Sequence, residues 1–200
     1  MASLVKTAGI AILAHSAVTH PDTIKGSAQD VSTKLAATVI CFHASVEAAA
    51  NTNPGVFLIQ GSGAASGDED WATIAPFSAT VSTADTEALT ATEPAGETVL
   101  AVAATAGFVA GDLVYIQHTT LANGEWGRLQ EIVTNVSLNL IDGLTNEQTS
   151  SSVAWNDADV FVAQLDLTAV TRVRVVFQHE GATGANCHVK ALMVTGDSIG

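Results

Sequence analysis

Charge is scarce in this sequence. Asp, Glu, Lys and Arg make up 14% of its 200 residues, against about 25% in an ordinary soluble domain. Basic residues are scarcer still: Lys6, Lys25, Lys34, Arg128, Arg172, Arg174 and Lys190 are all there are, and they form no run. Phosphate backbones are held by clustered Lys and Arg, and anionic lipid surfaces likewise. Twenty acidic residues leave a net charge of −13 that repels both. The composition therefore argues against nucleic acid and membrane as direct partners. No stretch reaches the roughly 18 consecutive apolar residues of a membrane-spanning helix. Lys6 followed by residues 8–14 has the outline of a short signal peptide. Its apolar core is short, however, and is soon broken by His15 and His20. An N-terminal arm over 1–33 is the expectation.

Cysteine is nearly absent. Cys41 and Cys187 each sit in a strand-like apolar run, where a free thiol behaves as a small buried hydrophobe. A chain of this length buries about 70% of its unfolded surface, so its core needs neither a disulfide nor a metal. Cys41, His43, Cys187 and His188 have the donor types of tetrahedral zinc. Cys187 and His188, however, are neighbours on one predicted strand and point to opposite faces. Asp68-Glu69-Asp70 lacks the ligand alternation of a calcium loop. Catalytic signatures are missing too: there is no Gly-x-Ser-x-Gly elbow and no Cys/His signature. The glycine loops Gly61-Ser62-Gly63 and Gly181-Ala182-Thr183-Gly184 lack the following helix that a phosphate site requires. No catalytic residue, metal or cofactor is assigned, and no enzymatic activity is expected.

What the chain does have is short β-rich runs broken by Gly, Asp and Asn. The run 97–102 is followed by 107–116, 125–133 and 136–141. The run 34–47 is apolar on both faces and reads as a central strand. After the breaker Asn51-Thr52-Asn53-Pro54-Gly55 the run 56–60 reads as its hairpin partner. The segment 71–81 is extended, 82–96 reads as a linker, and 159–167 resumes as a strand. Residues 172–194 read as a hairpin with a long loop. The organisation expected is all-β: a sandwich built from 34–88 and 159–200, with a small β-barrel or β module, 89–158, inserted between its halves. Phe108, Leu113, Ile116, Ile132 and Leu140 should then pack mainly on one another. Low charge also predicts surface hidden against other chains, because large apolar patches are uncommon on free monomers. Trp71, Trp126, Trp155 and Tyr115 are the candidate interface anchors, since Trp and Tyr concentrate at protein contacts. Sugar stacking is the competing role for the same rings.

The stretch Ala95-Gly96-Glu97-Thr98-Val99-Leu100, Gly107 to Ile116, Ile132-Val133 and Leu138-Asn139-Leu140 resembles a small β module of tailed-bacteriophage virion proteins. The flanks, with an Ala/Thr/Val-rich strand, a Gly/Ser loop and Asp70-Trp71, are similar in kind to capsid decoration (cement) proteins. The resemblance implies a jelly-roll-like fold and a homo-trimer. It also implies assembly in the host cytoplasm, a place on the capsid surface and the major capsid protein as partner. A tail, baseplate or fibre component, or a carbohydrate-binding host-adhesion module, is the alternative expectation.

Overall fold

The computed structural model describes residues 9–19, 21–46, 55–68, 70–79, 85–179 and 186–197. Among them the chain is all-β, with a single 3-10 turn at Leu121–Asn123. The first strands are β1 (Ile10–Thr19), β2 (Thr23–Lys25), β3 (Gln29–Asp30), β4 (Lys34–Ser45), β5 (Val56–Ser62) and β6 (Ala72–Ser78). A second group follows: β7 (Thr86–Ala88), β8 (Val99–Ala101), β9 (Leu113–Gln117), β10 (Glu125–Val133), β11 (Ser137–Leu140) and β12 (Val153–Trp155). The chain then returns with β13 (Ala158–Asp166), β14 (Arg172–Gln178) and β15 (Asn186–Asp197).

The first and third groups build two antiparallel sheets, ordered β1-β15-β4-β13 and β2-β14-β5-β6, with β3 continuing β2 along β14. Counting β2 and β3 as one interrupted strand, the first strand pairs with the last, the second with the seventh, the third with the sixth and the fourth with the fifth. A long antiparallel hairpin rolled so that its two ends lie in opposite sheets has this pairing, and it is the winding of a jelly roll. Alternate residues of both sheets turn inward to a shared core that includes Val39, Cys41, Phe57, Val175, Phe177 and Val189. Each such side chain, fully withdrawn from water, contributes about 1.5–3 kcal/mol. Close approach at one corner demands a glycine. Gly26, between β2 and β3, donates its N–H to the Val175 carbonyl at 2.8 Å, and a Cβ there would lie 1.9 Å from the Ile12 carbonyl oxygen.

The second group forms its own antiparallel sheet, ordered β7-β12-β9-β10-β11-β8. It curls until its edge strands meet: Leu89 bridges Val102, and the Thr90 N–H donates to the Ala101 carbonyl at 2.8 Å. The β10–β11 hairpin turns on Asn135, whose φ of 53° is a left-handed conformation that Asn tolerates better than most residues. Phe108, Ile116 and Leu140 lie in this barrel's own buried cluster, with Ile132 packed against it, while Leu113 is half-buried.

Several local readings need correction. Residues 34–60 are not a hairpin: β4 pairs with β15 and β13, while β5 lies in the opposite sheet against β14 and β6. Residues 172–194 likewise cross between sheets. A strand's alternation is the same whether its successor turns back beside it or crosses the sandwich, so sequence pattern does not separate the two. Residues 10–30 are not a loose arm, because β1 is an edge of one sheet and β2 and β3 pair with β14 in the other. The stretch that reads as a linker contains β7, which pairs with β12 in the barrel.

Candidate functional site

A polar and aromatic cluster lies where the barrel meets the outer face of the four-stranded sheet. On β9, Val114 and Ile116 enter the barrel core, so strand alternation turns Tyr115 outward. Register sets Trp126 of β10 opposite Tyr115 on one side and Trp155 of β12 opposite it on the other. Three of the four predicted anchors therefore stand in one cross-strand row. Tyr115 is fully buried, because the sandwich supplies His15 from β1 and His188 from β15 to cover it. The Trp126 ring lies 4.6 Å from Tyr115, 5.0 Å from His15 and 5.6 Å from Phe42. Its Nε1–H donates to the His43 carbonyl at 3.1 Å, tying β10 to β4. Trp155 donates to the Gln117 side chain at 2.9 Å, within the barrel.

The Tyr115 hydroxyl is 2.9 Å from His188 Nδ1 and 3.1 Å from His15 Nε2, and the two ring nitrogens are 3.3 Å apart. With both imidazoles neutral, the phenol donates to one nitrogen and accepts from the other, so all three groups are satisfied. Protonating both rings sets two N–H donors against each other. Burial and then the nearby Lys190 push His15 down to about 4, and burial and then His15 push His188 down to about 4. Burial also raises the Tyr115 phenol above its usual value. The cluster is thus a neutral clamp between two bodies.

Space at the clamp is tight. A Cβ on Gly124 would meet the Tyr115 hydroxyl oxygen at 2.3 Å. Gly124→Ala is therefore expected to displace the phenol and lower stability by about 1–3 kcal/mol, the usual cost of overpacking. Thermal melts of the variant should show it, and the double variant Gly124→Ala/Tyr115→Phe should recover part of the loss.

The fourth anchor, Trp71, sits apart on the outer face of the other sheet. Arg174 and Arg172 stack on its ring, with guanidinium carbons 4.1 and 4.8 Å from the centroid. Arg174 also donates to Gln60 at 2.8 Å and pairs with Asp68. That contact holds the Asp68 carboxyl below its usual range and occupies the first carboxylate of the acidic turn. Glu69 of that turn and the loop 181–184 lie outside the described residues.

The four donors of tetrahedral-zinc type are dispersed. Cys41 and Cys187 are free and lie in the sandwich core, with burial raising both thiols to about 12. A thiol so protonated is a poor nucleophile. His188 faces Tyr115 instead, and His43 is buried with its ring 6.0 Å from Phe177 and 3.9 Å from Asp159. Among the described residues no three His, Cys, Asp or Glu side chains converge on a cation position. Sequence reasoning does not find the partnership of His15 with Tyr115 and His188. These residues are 100 and 173 positions from His15, and no local pattern links them.

No family model and no curated protein matches the chain. Among solved structures, VP17, a capsid protein of bacteriophage P23-77, aligns at 10% identity over 98% of this chain and 97% of its own, with a TM-score of 0.21. The complex of VP16 and VP17, the two major capsid proteins of that phage, aligns at 11% identity, covering 97% of this chain and 99% of the matched chain, again with a TM-score of 0.21. Likenesses at that TM-score bear on neither fold nor function.

Proposed function

We propose that this chain is a structural protein of a phage particle, and within that class a decoration (cement) protein that binds the major capsid protein of the assembled shell. One observation carries the reading: the chain is wound as a jelly roll, first strand on last, with a closed barrel carried between its fifth and sixth strands. Jelly rolls recur in capsid proteins, and the step from fold to role is analogy. In this reading the chain assembles in the host cytoplasm, acts as a homo-trimer on the outside of the head and performs no catalysis.

The mechanism is mass action. A protein that binds the assembled shell but not its free subunits stabilises the shell by about 4 kcal/mol per site at a thousandfold excess over Kd. Charge fits an outward position: residues 89–158 carry eight carboxylates, of which Glu93 and Asp157 are buried, against Arg128 alone, and the remaining six favour solubility and repel nucleic acid. The ring placements weigh against the adhesion alternative. Tyr115 is buried and Trp126 is turned against the sandwich, so two of the three rings in the row are turned away from a sugar.

The test is location. An antibody raised against the purified chain should label the heads of intact particles, and particles lacking the chain should release their genome at a lower temperature. Label confined to tails, or found only in the particle-free fraction, would overturn the reading.

A further inference from the structure

We propose that β13 is a joint between two copies of this chain. Its free edge pairs antiparallel with the same edge of a second copy about a two-fold axis at Val162, merging two four-stranded sheets into one of eight. The inference rests on the reading of the chain as a protein that works through contacts with other chains, and it names one of those contacts.

The sandwich has four sheet edges, and three are defended against pairing in the ways natural edges usually are. β1 shifts register twice against β15. β6 carries Pro76 and a register shift against β5. The β2–β3 edge is broken into pieces of three and two residues, and its longer piece ends in Lys25. β13 lacks the shifts, breaks, Pro and Lys of the other three, and its charges are Asp159, near His43, and Asp166. It matches β4 over nine consecutive residues without a shift, and Ala158–Asp166 contains no Pro, Lys or Arg. Among the described residues no strand pairs with its far side.

The backbone parity of that edge follows from its two ends. Before the strand, the Ser45 N–H donates to the Asp157 carbonyl at 2.9 Å; after it, the Leu167 N–H donates to the Leu35 carbonyl at 3.0 Å. Hydrogen-bonded and non-bonded positions alternate along an antiparallel pair, and the register between these ends is unbroken. Odd-numbered residues therefore bond to β4. The N–H and C=O groups of Val160, Val162 and Gln164 point to the open side, the arrangement that strand addition uses.

Side chains agree with the backbone. Val162 is 55% exposed, and register carries an apolar row from it across the outer face of the sheet, through Ile40 and Leu192 to Ala11. Pairing about Val162 would join this row to its symmetry copy. The charge pattern accommodates a second copy as the occupant, although each copy is net acidic. In the two-fold register Asp166 falls opposite Ala158 and Asp159 opposite Leu165. No carboxylate of the strand then meets another. Such a contact is isologous and closes on itself.

The test is the mass of the intact chain by sedimentation and light scattering over a dilution series. It is run at about 1 M salt, where the Debye length is about 3 Å and repulsion between acidic copies is screened. The wild type should assemble in twos, or in sixes where pairs join trimers. Val162→Pro removes an N–H that β4 does not use, and Val162→Asp sets two carboxylates face to face. Each should raise the Kd of the pair by about tenfold or more, a change of about 1.4 kcal/mol, with circular dichroism as in the wild type. Ile74→Asp, at an exposed apolar site on β6, should leave association unchanged. If Val162→Pro misfolds, Gln164→Pro removes the neighbouring outward N–H in its place. A wild type that stops at one or three copies overturns the joint, as does a folded Val162 variant that still pairs. Either result alongside labelled heads leaves the virion reading standing, whereas paired chains absent from heads would sink that reading and spare the joint.

Discussion

Lowering the pH from about 6.5 to about 4 is expected to strip this fold of much of its stability. His43, His15 and His188 are each held at about 4 by burial, against 6.5 for the free side chain. In the unfolded chain these imidazoles take up protons below 6.5; in the folded chain they do not until near 4. Stability is therefore complete above about 6.5, falls as pH drops because the unfolded state binds more protons, and levels off near 4. His43 weighs most. It is fully buried on the inner side of β4, where Asp159 favours its charged form while His179 and His188 oppose it. A shift of one pKa unit is worth about 1.4 kcal/mol, so His43 alone makes the loss several kcal/mol over the window. Partial exposure of His15 reduces its share. Denaturant midpoints at half-unit steps would check the window. His15→Gln and His188→Gln should each flatten the slope, and a midpoint unchanged between 6.5 and 4.5 would show that the fold accepts these protons.

How much of this is legible in the sequence depends on the distance between partners. β10 and β11 are readable because partner and turn lie within one window: Leu129 faces Leu140 and Asn135 makes the bend. β4 is readable as central because both of its faces are apolar, and it does lie between β15 and β13. β1 reads as an arm for a physical reason. Its register shifts between Ala11 and Leu13 and again between Leu13 and Ser16, so the period-two alternation that marks a strand is erased. The jelly-roll winding is not derivable from pattern at all. It is written in pairs such as Ile10 with Met193 and Ala37 with Leu165, where each side chain needs only to be apolar and of suitable size. Tyr115 shows the same limit at the clamp: alternation places it on a strand, but only the tertiary fold brings His15 and His188 over it.

Truncating the two cores separately should expose how the bodies are coupled. Phe177 is fully buried in the sandwich, opposite Phe57 in register, with ring centroids 4.8 Å apart and the His43 ring 6.0 Å away. Phe177→Ala is expected to cost about 3–5 kcal/mol, a large part of the roughly 5–15 kcal/mol that holds a domain folded. Leu138 is fully buried in the barrel, opposite Leu100 on β8 and Ile132 on β10, and Leu138→Ala should cost about 2–5 kcal/mol there. The two clusters share no residue. What joins them includes the Tyr115 clamp and the Trp126 bond to β4. Cooperative units tend to follow such divisions, so Leu138→Ala is expected to melt the barrel in a separate, earlier step while the sandwich transition stays where it was. Phe177→Ala should move the sandwich transition and leave the barrel's own unchanged. Calorimetry resolves the steps. If Leu138→Ala instead shifts one undivided transition, the clamp couples the bodies more tightly than its few contacts suggest, and clamp variants such as Gly124→Ala should then split that transition in two.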